Sequence, residues 1–160
     1  MMILLKLAKM SQSDFEKYWQ TAVVDYANEK VKAGAWPTDH AKDNAKQEFE
    51  KLVPDGLATP GHYFYDIVAS NTKVGTVWLA ERSADSKEAF LYDIQISPAY
   101  QGQGFGTKTL QLIDEEAAHL GFKKIALHAF GNNKRAIHVY EKDGFEITDV
   151  WMAKKVSEIK

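Results

Sequence analysis

Apolar positions in the first third of the chain recur at intervals of three and four. Ser13-Asp14-Phe15-Glu16 offers a serine that can cap a helix and a glutamate three residues on that can cap back. From there Phe15, Trp19, Ala22, Val23 and Tyr26 form one stripe until Gly34 and Pro37 interrupt it. Thr38 or Asp39 can cap a second helix, in which Ala41, Ala45, Phe49 and Leu52 share a face before Pro54-Asp55-Gly56 forces a turn. Ahead of both helices, Ile3 to Leu7 reads as a strand. Its apolar run is too short for a signal peptide and lacks a small-residue cleavage site.

The texture then changes. Tyr63–Ala69, Val74–Glu81 and Ala89–Ile96 are rich in β-branched and aromatic residues and are separated by Ser70-Asn71-Thr72 and Ser83-Ala84-Asp85-Ser86, which predicts an antiparallel three-strand meander. Leu110, Ile113, Ala117 and Leu120 return to the helical period, with Lys108, Gln111, Asp114 and Glu115 opposite and Gly121 at the stop. Lys124–Ala129 reads as a strand, Asn133–Lys142 as a helix, and Phe145–Thr148 with Val150–Lys155 as a closing pair of strands. The expected order is βααβββαβαββ, an α/β fold with helices on both faces of one mixed, mostly antiparallel sheet. No repeat, low-complexity stretch or linker divides residues 1–160, so a single domain is expected.

Composition narrows the function classes. With 20 basic and 22 acidic residues the formal charge is −2, which leaves no global basic field for nucleic acid or an anionic membrane. No apolar run approaches the roughly 20 residues that span a bilayer. The absence of cysteine removes disulfides, thiolate metal sites and a cysteine acyl-enzyme, and fits a cytoplasmic protein. The five histidines include His62, His128 and His138, but none has a metal-ligand spacing, so no metal is expected.

One segment carries chemistry. The strand ending Ile94-Gln95-Ile96-Ser97-Pro98 runs into Gln101-Gly102-Gln103-Gly104-Phe105-Gly106-Thr107 and then directly into a helix. Glycines let the backbone tighten and present N–H groups outward, while the helix N-terminus adds about half a positive charge, so the loop suits an anion. The GxGxG spacing departs from the Rossmann GxGxxG, and Thr107-Lys108-Thr109 is one residue out of register for a Walker loop. A glycine turn that merely links strand to helix is the competing structural reading.

A second motif follows about 27 residues later. The sextet Gln101 to Gly106 resembles the Q/R-x-x-G-x-G/A motif of the GNAT N-acetyltransferases. The run from Asn133 to Phe145, with Ala136, Tyr140, Lys142 and Gly144 between, resembles that family's N-x-x-A-x-x-x-Y-x-K-x-G-F signature. The resemblance is close over roughly 88–150; the first 60 residues match in architecture alone. It implies acetyl-CoA as co-substrate, with its pyrophosphate on Gln101, Gly102, Gln103, Gly104, Phe105, Gly106 and Thr107. It also implies backbone contacts from Ile94 and Ile96 to the pantetheine arm, which inserts between splayed strands, and a contact from Asn133.

In that family the tyrosine matching Tyr140 lies near the thioester sulfur, where it can protonate the leaving thiolate; packing in the core is its alternative role. A protonated amine acceptor also needs a base. Asp93, Glu81 and His62 are the candidates, each with a surface or substrate-contacting role as its alternative, and Asp93 lies on the strand expected to approach the acetyl group. Without a cysteine or a GxSxG elbow, direct transfer is favoured over an acyl-enzyme. A non-catalytic acyl-CoA sensor of the same fold is the alternative, and a protein-interaction module with a structural glycine turn is a third. The acceptor is a small-molecule or peptide amine, Trp36–His62 is expected to cover its side of the site, and edge strands at the C-terminus would suit a homodimer.

Overall fold

Met10 closes the first turn of the chain: its side chain is buried and its N–H donates to the carbonyl of Phe64 at 3.1 Å. In a computed structural model that describes residues 4–157, it separates strand β1 (Leu5–Lys9) from helix α1 (Gln12–Lys32). This anchoring decides between two capping frames. Ser11, not Ser13, caps α1, its Oγ accepting from the Asp14 N–H at 3.1 Å. Ile3, the expected start of the first strand, lies outside the described residues. Helix α2 (Ala41–Leu52) follows from His40 without a side-chain cap, so neither Thr38 nor Asp39 has the expected capping role.

Strands β2 (His62–Ala69), β3 (Thr72–Ser83) and β4 (Glu88–Ile96) form the predicted meander. Helix α3 (Phe105–His119), strand β5 (Lys124–Leu127) and helix α4 (Lys134–Asp143) follow, and single 3-10 turns at Gly56–Ala58 and Pro98–Tyr100 precede β2 and α3. The strands lie in the order β1-β2-β3-β4-β5, antiparallel throughout except for the parallel pair β4 and β5. Strict alternation along β3 sorts the core into two layers. Trp78 packs with Phe15, Tyr18, Phe49 and Phe64 beneath α1 and α2, whereas its neighbours Val77 and Leu79 join Leu110 and Ile113 of α3 on the opposite face. The α/β sandwich of the sequence reading is the fold observed.

The two closing strands are not. Among the described residues 145–157 form no strand, and Trp151 and Met152 are 98% and 89% exposed. A strand requires a neighbour to accept its hydrogen bonds. Among the described residues this segment pairs with no strand, and the sheet ends at β5. The observed order is therefore βααβββαβα. Among the described residues no helix is long and apolar enough to cross a membrane.

Candidate active site

The register between β3 and β4 slips at two points, between Glu81 and Ser83 and, nearer the middle of the sheet, where Trp78 pairs with Asp93 but Leu79 pairs with Leu91, leaving Tyr92 as an extra residue. Such a bulge interrupts the alternation of faces. Leu91 points into the α3 layer, the Tyr92 ring stacks on Trp78 at 4.5 Å, and Asp93 reaches the α1 side to accept a hydrogen bond from the Tyr18 hydroxyl at 2.8 Å. Without the bulge, Asp93 would share the face of Leu91 and lie within the apolar α3 layer.

The same kink parts β4 from β5. Their parallel pairing covers only Glu88–Leu91 against Lys124–Leu127, so the edge of β4 from Tyr92 to Ile96 has no strand beside it on that side. The expected strand Lys124–Ala129 stops early for this reason, and His128, Ala129 and Phe130 instead line a cavity of about 410 Å³. Asp93, Tyr140 and Asn133 open into it, together with Tyr18 and Asp25 from α1. Ile94, Asn133, Ala136 and Tyr140 also border a second cavity of about 350 Å³ that reaches Gln101, Gly102, Gly104, Gly106 and Thr107. Tyr140 thus stands where the glycine turn's cavity meets the cavity of Asp93.

The glycine turn is shaped for close approach. Gly102 and Gly104 have φ of +79° and +81°, in the left-handed region that L side chains rarely adopt, and a Cβ at either position would meet nothing within 4 Å. Gly104 begins α3, and no side chain caps that helix. The outward space and the uncapped first turn together can hold an anion such as a pyrophosphate. Gln101 braces the turn by donating from Nε2 to the Ile96 carbonyl at 2.9 Å. Gln103 is exposed outside the cavity lining, and the Phe105 side chain is 4% exposed in the core, so only the backbone of Phe105 is free to meet a ligand.

Electrostatics distinguishes the three candidate bases. Enclosure pushes the Asp93 carboxyl up to about 6 and the nearby Asp25 adds to the rise, against hydrogen bonds from Tyr18, Gln95 and the Ile94 backbone. His62 is held below its ordinary value by burial, and its Nδ1 accepts from the Trp78 indole N–H at 3.0 Å. Glu81 is exposed and lines neither cavity. Burial, then the charge of Asp93, holds the Tyr140 phenol above its usual value. Its ring meets Phe145 edge-on at 5.9 Å, so Tyr140 is at once packed and presented to the cavity. Asn133 caps α4, accepting from the Ala136 N–H at 3.3 Å, and lines both cavities as well.

The wall opposite β4 comes mainly from α1 and not from the expected segment 36–62. Of the segment 36–62 only Phe49 lines the larger cavity; α1 supplies Tyr18, Ala22, Asp25, Tyr26, Glu29 and Lys32 among others. Tyr18, Ala22, Asp25 and Glu29 recur at four and three residues, a stripe beside the apolar one. That recurrence was visible in the sequence, but nothing local told an active-site wall from a solvated flank.

The sequence matches the model of the Acetyltransferase (GNAT) family over residues 7–145. It is 37% identical to the uncharacterized N-acetyltransferase YycN of Bacillus subtilis, over 95% of this chain and 99% of that one. The crystal structure of YycN superposes with a TM-score of 0.93, at 36% identity, covering 97% of this chain and 100% of that chain. A second Bacillus subtilis protein, the uncharacterized N-acetyltransferase YdgE, is 32% identical over 94% of this chain and 97% of its own. The PaiA N-acetyltransferase of Thermoplasma acidophilum, solved in complex with coenzyme A, shares the fold with a TM-score of 0.66 at 19% identity, covering 92% of each chain.

Proposed function

We propose that this chain, which belongs to the acetyltransferase (GNAT) family, is a single-domain enzyme that passes the acetyl group of acetyl-CoA directly to a primary amine. Membership makes it an acyl-CoA-dependent N-acetyltransferase; the acetyl group, the direct route and the residue roles below are the proposal. The observation that carries it is the meeting of Asp93 and Tyr140 in one cavity beside the free edge of β4.

The site fits the co-substrate on its own terms. The turn from Gln101 to Thr107 and the uncapped start of α3 suit the pyrophosphate, the free edge of β4 at Ile94 and Ile96 suits the amides of the pantetheine arm, and Asn133 lies at the junction. When bound, acetyl-CoA supplies an acetyl group activated as a thioester. Asp93, ionised above about pH 6, accepts the proton of the amine as its nitrogen bonds to the acetyl carbon. Tyr140, kept as the neutral phenol, donates its proton to the departing sulfur. A phenol near 10 and a thiol near 8.5 make that transfer uphill by about 2 kcal/mol at ordinary values, and burial adds to this. Donation therefore accompanies departure of the sulfur and does not precede it. With no cysteine in the chain, direct transfer needs no acyl-enzyme.

The same reading includes a homodimer in a reducing cytoplasm. The tail holds Ile147, Val150, Trp151, Met152 and Val156 exposed, and among the described residues no strand lies on the outer edge of β5, so each copy has both a strand-forming segment and an edge to receive one. The enzymatic reading is tested by incubating the protein with acetyl-labelled CoA and a panel of primary amines. Labelled amide is expected. Binding of acetyl-CoA with no transfer to any amine would instead identify an acyl-CoA sensor.

A further inference from the structure

The stripe Tyr18, Ala22, Asp25 and Glu29 turns two carboxylates of α1 toward the cavity that Asp93 faces from β4. Among the described residues that line this cavity one ammonium answers these three: Lys32, whose Nζ lies 3.8 Å from Glu29. Asp25 forms no ion pair among the described residues. Lys30, the next cation along α1, lies over the rings of Tyr26 and Trp36 at 5.6 and 5.4 Å. His128 on the far wall is held below its ordinary value by burial and by Lys30, so it adds no charge at neutral pH. Asp25 is close enough to raise both Tyr18 and Asp93, so the pair of aspartates repel across the cavity.

Two like charges facing one half-enclosed space favour a cation for each. The walls include the partly exposed rings of Tyr26 and Tyr92, which offer surface to an alkyl chain or an ammonium. An acceptor with a single amino group would neutralise Asp93 and leave Asp25 unanswered; one bearing a carboxylate would face repulsion from both. We propose that the acceptor is an aliphatic amine carrying a second cationic group, with the reacting nitrogen at Asp93 and the second cation recognised by Asp25. This rests on the acetyltransferase reading above and assigns Asp25 as the residue that selects among amines.

The test measures binding without turnover. Wild-type protein saturated with CoA, which has no acetyl group to give, is titrated calorimetrically with 1,3-diaminopropane, 1,4-diaminobutane and 1,5-diaminopentane and with the monoamines of the same lengths. At least one diamine should bind roughly tenfold or more tightly than its monoamine, the size of one charge-assisted hydrogen bond. Asp25→Asn should erase most of that difference between each diamine and its monoamine. Equal affinities across every pair, or a preference that survives in Asp25→Asn, would overturn the assignment. A protein that prefers diamines yet transfers acetyl to no amine would overturn the enzymatic reading and leave only the recognition of a second cation by Asp25 standing.

Discussion

The Tyr18 hydroxyl donates to Asp93 Oδ2 at 2.8 Å, tying helix α1 to the bulged strand β4 across 75 residues of sequence. The bond joins the two walls of the larger cavity and also sets the acidity of the carboxylate, because a hydrogen bond to the charged form favours that form.

Tyr18→Phe removes this donor and leaves the ring. Asp93 should become a weaker acid, so the acid limb of kcat/KM against pH should move upward from its wild-type position near pH 6. The Gln95 Nε2 contacts, at 3.0 and 3.3 Å, remain to hold the carboxylate in place. A limb that stays put in the variant would show that Tyr18 has no influence on the ionisation governing the rate.

Gly104 adopts φ of +81° at the start of α3, so valine there is strained by roughly 1–3 kcal/mol and places methyl groups in the space assigned to the pyrophosphate. The informative quantity is the shift in melting temperature on adding acetyl-CoA. At 100 times the dissociation constant the wild type should gain about 2.7 kcal/mol. Gly104→Val should melt lower without ligand and show no gain with it. A full ligand-induced shift in the variant would remove the turn from the binding site.

Tyr140→Phe keeps the edge-on contact with Phe145 and deletes the hydroxyl alone. Acetyl-CoA affinity should change little. Proton donation by a placed side chain contributes roughly 10² to 10⁴-fold, so kcat should fall by an amount in that range. Loss of cofactor affinity with kcat intact would make Tyr140 a packing residue.

The exposed tail predicts association. Sedimentation equilibrium should report a dimer for the wild type and a monomer when Trp151 and Met152 are both replaced by aspartate, since each is almost wholly exposed within one chain. A monomeric wild type would leave the tail without its expected partner.

Sequence pattern alone located the meander, helix α3 and the glycine turn, because each rests on local periodicity or on a residue type that the backbone requires. Gly104 is legible in this way: its left-handed φ suits glycine whatever surrounds it. The orientation of Asp93 was not legible, since it depends on a slip between Trp78 and Leu79 on another strand. The helix cap moved from Ser13 to Ser11 because burial of Met10, a tertiary fact, set where the turn closes. The tail from Phe145 to Lys155 has the composition of strands, yet strand formation depends on a neighbouring edge, and among the described residues it pairs with none.

Asp93 has a second pH signature, in stability. Its folded value of about 6 exceeds the ordinary 3.8, so the folded protein binds the proton more tightly. The cost of holding the charged carboxylate is absent below pH 3.8, grows as pH rises toward 6 and is fully present above it. Asp93→Asn removes that cost and should fold at least as stably as wild type at pH 7, which makes it a clean probe of chemistry. The decisive measurement is therefore kcat/KM for acetyl transfer as a function of pH in wild type and in Asp93→Asn. The wild type should show an acid limb near pH 6, and the variant should lose roughly 10² to 10⁴-fold in rate together with that limb. A folded Asp93→Asn protein that retains the wild-type rate and pH profile would contradict the assignment of Asp93 as the base.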